Sequence, residues 1–145
     1  MKISVVKETF PGERRVALLP SSLSALTKQG CEIWIESGAG DSAGYSDATY
    51  EENGARITDR AEAFKADVVL AVRWAGANPE AGSADLDLMQ SGQALIGTCD
   101  PLGDPQAVAQ LAERQVRLFG LELIPRITRA QSMDVLSSMA TIAGY

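Results

Sequence analysis

"DVVLAV", residues 67–72, runs from one acid into five apolar side chains, three of them valine. A strand with one wet face alternates apolar and polar residues. An unbroken, β-branched apolar run this short instead fits a strand covered on both faces, as parallel strands are. "ISVV", residues 3–6, has nearly the same character. These two runs predict a layered α/β domain.

The pattern extends in both directions. Strands are predicted at 3–6, 31–36, 55–57, 67–72, 94–99 and 117–121. Helical patterns fall between them, at 21–29, 47–53, 59–65, 85–90, 105–114 and from 129 onward. Gly30 and Gly54 stand where helices should stop, and Asp47 and Asp59 where helices should begin. This alternation predicts a doubly wound, mostly parallel sheet of Rossmann-like topology with right-handed crossovers. "WAGANPEAGSAD", residues 74–85, reads as a surface loop beyond a strand's carboxyl end, where ligands gather in such folds.

A dinucleotide cradle is the obvious candidate in this architecture. "IESGAGDSAGYSD", residues 35–47, places Gly38, Gly40 and Gly44 after a strand, with Asp59 at about the spacing of a ribose-binding acid. The spacing, however, is GxGxxxG. The next helix start, near Asp47, also comes too late to aim its N–H groups at a pyrophosphate. The loop reads as a turn, and a Rossmann-like sheet lacking the GxGxxG nucleotide-binding half is expected.

Composition narrows the chemistry. The 145 residues suit one domain with a real core, and 46% are hydrophobic. No apolar run approaches a bilayer span and no signal-peptide pattern opens the chain, so a cytoplasmic location without direct membrane insertion is expected. A net charge of −6 argues against nucleic acid. Cys31 and Cys99 read as buried, reduced strand residues. There is no histidine, which removes the common general base, the Ser-His and Cys-His nucleophile pairs and imidazole metal sites; no metal is expected.

"ELIPRITRAQSMDVLSSMATIAGY", residues 122–145, is the most unusual stretch. As a helix from 129 it puts Gln131, Asp134, Ser138 and Thr141 in one polar stripe flanked by apolar residues, as at a junction. Such a stripe can serve a nicotinamide or ribose. An amide both donates and accepts, a carboxylate accepts, and a guanidinium forks onto phosphate or carboxylate. Hydride transfer between nicotinamide rings needs positioning and no protein base. A structural reading also stands: Thr128 and Gln131 fit a capping box, with Asp134 favouring the helix dipole.

"PRITRAQSMDVLSSMATIAGY", together with "KETFPGERRVALLP" and "ESGAG" followed by "GARI", resembles the N-terminal part of the alpha subunit of proton-translocating NAD(P) transhydrogenase. That family is shared with alanine dehydrogenase, and the similarity spans essentially the whole chain. The resemblance implies that Arg126, Gln131, Asp134 and Ser137 contact the nicotinamide end of NAD(H), with Gln131 and Asp134 in the catalytic roles. Gln131 would also reach NADP(H) on a partner domain. Arg15, or its neighbour Arg14, matches the arginine that holds a substrate carboxylate in alanine dehydrogenase. The expected partners are an NADP-binding domain and a membrane-embedded subunit at the inner face of the membrane, with the chain as a homodimer. Residues 1–145 would form the N-terminal domain, ending inside a helix that leads to the NAD-binding Rossmann domain. Two departures count against amino-acid dehydrogenation: Ala71 stands at the substrate-lysine position, and Thr98 near that of the catalytic histidine. An alanine dehydrogenase-type oxidoreductase and a non-catalytic binding or dimerisation module remain the alternatives.

Overall fold

A computed structural model describes residues 1–144; Tyr145, the last position of the predicted final helix, lies outside the described residues. The predicted alternation forms β1 (Lys2–Val5), α1 (Leu23–Thr27), β2 (Glu32–Glu36), α2 (Asp47–Glu52), β3 (Arg56–Thr58), α3 (Arg60–Ala63) and β4 (Val68–Arg73). It continues with β5 (Ala94–Thr98), α4 (Pro105–Glu113), β6 (Arg117–Gly120) and α5 (Val135–Ala143). The six strands make one sheet in the order β3-β2-β1-β4-β5-β6, and every pairing is parallel. This is the doubly wound order whose direction reverses between β1 and β4.

Strand alternation divides the core into two layers. On β1 and β4, Ile3, Val5, Val68 and Leu70 face one side, with Leu23 of α1 and Tyr50 of α2. Val69 and Ala71 face the other, with Phe64 after α3 and Leu111 of α4. The run 67–72 therefore has no polar face because each of its faces meets a packed layer.

Some boundaries differ from expectation. Ser46, not Asp47, caps α2, its hydroxyl accepting from Thr49 N at 3.3 Å. Asp59 caps α3 as predicted, accepting from Glu62 N at 2.7 Å. The helix expected at 85–90 is replaced by a short 3₁₀ turn, Gly82–Asp85, whose Asp85 is drawn back to Arg60 at 2.6 Å. The helix expected from 129 begins at Val135, after a 3₁₀ turn over Thr128–Met133. The polar stripe is therefore broken: Gln131 lies outside α5, and no residue of α5 is buried. Both cysteines are free, but only Cys99 is buried; Cys31 is half-buried.

Candidate functional site

The glycine loop after β2 is closed by the chain's own acid. Gly38 and Gly44 take φ of 72° and 86°, which permits the turns. A Cβ on Gly40 would lie 2.5 Å from the Tyr45 carbonyl oxygen. Asp47 then reaches back from α2, one carboxylate oxygen accepting from Gly38 N at 2.8 Å and the other from Ser37 Oγ at 2.7 Å. The N–H that would face a phosphate is thus already bonded. Asp59, the candidate ribose acid, is occupied as a helix cap.

The crevice between β1 and β4 is filled in the same way. Glu8 accepts from Val72 N at 2.6 Å and from Arg73 N at 3.2 Å. Burial raises its pKa, while those two backbone bonds pull it down. Glu36, at the end of β2, accepts from Lys7 N at 2.7 Å and from Arg60 Nη1 at 2.8 Å. Arg60 holds Asp85 with its other nitrogens. Side chains of this domain therefore satisfy the polar groups that a dinucleotide would otherwise engage.

Arg15 is fixed on the loop that follows β1. Its Nε and Nη2 donate to the two oxygens of Glu13 at 2.8 and 2.6 Å, and Arg73 Nε donates to the same carboxylate at 2.9 Å. The Arg15 bonds, resisted by burial and helped by Arg73, lower the Glu13 pKa to about 2. The remaining Arg15 nitrogen, Nη1, lies 3.5 Å from Met139 Sδ on α5. Sequence reading singled out Arg15 but missed Glu13 and Glu8. That Arg73 shares the Glu13 carboxylate with Arg15 went unremarked as well. The signal was present in "GERR" and in Arg73 standing two residues from Ala71 along the strand.

The C-terminal segment presents its polar groups differently from the capping-box reading. Ile127 precedes the 3₁₀ turn with no side-chain cap, so Thr128 and Gln131 form no box. Asp134 instead caps α5, one oxygen accepting from Ser137 N at 2.9 Å and the other from Ser137 Oγ at 2.6 Å. These bonds lower its pKa, with a smaller contribution from the charge of Arg126. Gln131 is exposed and makes no side-chain hydrogen bond among the described residues.

Between the Arg15 loop, the carboxyl ends of β4 and β5, and α5 lies a cavity of about 740 Å³. Arg14, Arg15, Leu70, Ile96, Leu136 and Met139 are among its walls. Arg126, Gln131, Asp134 and Ser137 are not; the first three lie on the segment that leads into α5, and Ser137 lies in its first turn.

The family model described as the N-terminal domain of alanine dehydrogenase/PNT matches residues 4–143. The chain belongs to that family. It is 40% identical, over its whole length, to an NAD(P) transhydrogenase subunit alpha of Cereibacter sphaeroides, covering 27% of that protein. It is 30% identical over 99% of its length to alanine dehydrogenase 1 of Staphylococcus aureus, covering 36% of it. Among solved structures, a transhydrogenase from Sinorhizobium meliloti superposes with a TM-score of 0.92 at 39% identity, over all of this chain and 42% of that one. An L-alanine dehydrogenase superposes with a TM-score of 0.87 at 30% identity, over 99% of this chain and 38% of that one. This member of the alanine dehydrogenase/PNT family thus spans between about a quarter and two fifths of the length of these relatives.

Proposed function

We propose that this chain is the N-terminal part of an NAD(P) transhydrogenase alpha subunit and supplies the nicotinamide-facing half of an NAD(H) site. The observation that carries the reading is the largely exposed segment 126–137, where a free amide, Gln131, precedes the preorganised Asp134–Ser137 pair. In the complete enzyme, hydride passes from NADH to NADP, coupled to proton translocation. Arg126, Gln131, Asp134 and Ser137 orient the nicotinamide, and Gln131 reaches the NADP(H) of a partner domain. Positioning is all that the transfer asks of them, so a chain without histidine suffices. Identities of 40% and 38% to two transhydrogenase alpha subunits, against 30% to alanine dehydrogenase 1, support this choice, as does Ala71 on β4.

Only the nicotinamide end fits these residues. The backbone groups that could hold a pyrophosphate are bonded to Asp47 and Glu8, so that end belongs to an NAD-binding Rossmann domain following this one. The other partners are an NADP-binding domain and a membrane-embedded subunit, with a second copy of this domain in a dimer at the cytoplasmic face. Among the described residues no helix is long and apolar enough to cross a membrane.

Calorimetric titration of the chain with NADH tests the half-site. Weak or absent binding is expected, with no hydride transfer to an NADP analogue. Tight binding would place the dinucleotide on residues 35–47 and refute the reading. Hydride transfer by the chain alone would refute it equally.

A further inference from the structure

α5 is the least anchored helix of the domain. α1, α2, α3 and α4 each bury at least one side chain, and α5 buries none. Its large apolar residues Leu136, Met139 and Ile142 are all exposed. A helix held so lightly is placed by few contacts, and one of them is polar: Arg15 Nη1 donates to Met139 Sδ at 3.5 Å. The guanidinium is itself fixed, because Glu13 accepts from its Nε and Nη2. Nη1 is left with a thioether, a weak acceptor.

The other methionines have no such neighbour. Of the four in the chain, Met89 is buried, and Met1 and Met133 are exposed with no hydrogen bond at sulfur among the described residues. Oxygen added to those two would meet water. Oxygen added to Met139 would meet a fixed cation.

We propose that Met139 is a site of reversible oxidation and that its sulfoxide latches α5 to Arg15. The oxidant is a peroxide. A sulfur lone pair attacks one peroxide oxygen, the S–O bond forms as the O–O bond breaks, and the sulfur gives up two electrons. With hydrogen peroxide, the proton on the transferred oxygen passes to the departing hydroxide, which leaves as water. The new oxygen carries partial negative charge and stands one bond out from Sδ, within hydrogen-bond range of Nη1. The unbranched, rotatable side chain lets it turn onto that nitrogen. A sulfoxide ordinarily disrupts apolar packing. Met139 is already 39% exposed, so little burial is lost while a charge-assisted bond is gained. Enzymatic reduction of the sulfoxide restores the weak contact. The assignment stands on the Arg15–Met139 contact and is independent of nicotinamide binding.

The test treats the protein with hydrogen peroxide in a Met133→Leu background, a volume-conserving change at an exposed position that removes the neighbouring sulfur. Peptide mass spectrometry follows oxygen addition at Met139, and hydrogen exchange at amides 139–143 follows opening of α5. Met139 should be oxidised in the folded protein, and exchange at those amides should slow about tenfold. Methionine sulfoxide reductase should return the original rate. In the same background, Met139→Gln, whose amide oxygen is a permanent acceptor, should slow exchange without peroxide. Met139→Leu should show no response to peroxide. Faster or unchanged exchange after oxidation overturns the proposal, as does the same slowing in Met139→Leu. A Met139 that stays reduced while Met1 is oxidised overturns it too.

Discussion

Asp47→Ala isolates the reading of the glycine loop. The wild-type carboxylate accepts two hydrogen bonds, from the Gly38 amide and the Ser37 hydroxyl, from a half-buried position in the first turn of α2. Bonds to a charged acceptor contribute about 1.5–3 kcal/mol each, and partial exposure moves both toward the lower bound. Alanine also leaves a part-buried N–H without its acceptor and removes an acid from a helix N-terminus, which adds about 0.3–1 kcal/mol. The sum is about 3–4 kcal/mol, or a fall in Tm of about 10–13 °C for a domain of this size. Thermal unfolding followed by circular dichroism reads it directly. Asp47→Asn, which keeps one good acceptor, should lose about half as much. A Tm within about 1 °C of wild type for the alanine variant would show that the loop is held by something else. A gain in NADH affinity on the same substitution would be the more damaging result, because Asp47 would then be screening a phosphate site.

Three further outcomes are expected. Glu13 titrates at about 2 in the folded protein against an ordinary 4.5, so the stability it contributes is complete above pH 4.5 and is lost as pH falls toward 2. Glu13→Gln should therefore be less stable than wild type at neutral pH, with the gap closing in urea denaturation below about pH 3. Burial, and then the neighbouring Glu122 carboxylate, push the Cys99 thiol up to about 12. At pH 8 about one part in ten thousand is thiolate, so iodoacetamide should modify Cys31 and spare Cys99 until the protein unfolds. Gln131→Ala should leave Tm within about 1 °C, since it removes no packed contact, and under the proposed function should lower hydride transfer in the complete enzyme by about a hundredfold. Activity equal to wild type would remove Gln131 from the site.

Strand content was legible because it follows local rules. Valine-rich runs marked β1 and β4, and Gly30 and Gly54 marked helix ends by taking φ of 79° and 89°. The fold class followed from alternation alone. What stayed hidden depends on long-range polar partners. Asp47 looked like a helix start because the sequence cannot show its carboxylate turning back nine residues to Gly38. The helix expected at 85–90 failed because Arg60, 25 residues away, captures Asp85. In the C-terminal segment, helical spacing ran correctly through 135–143 but was extended six residues too far toward the amino end. Asp134 prefers the cap, where Ser137 offers both an amide and a hydroxyl. For the site, the residue types at 126–137 were legible, but the ion pairs that commit Arg15 and leave Arg14 open were not.

The central place of β1 bears on how the domain is made. It lies between β2 and β4, so the sheet's two halves meet through a four-residue strand near the amino end. Ile3 pairs with Ile33 and also with Val68, 65 positions later. At about 5–20 residues per second of translation, the second partner is synthesised several seconds after the strand itself. Through that interval one whole edge of a hydrophobic strand is open to other nascent chains. The interior of the sheet is thus the domain's most vulnerable edge while it is being made.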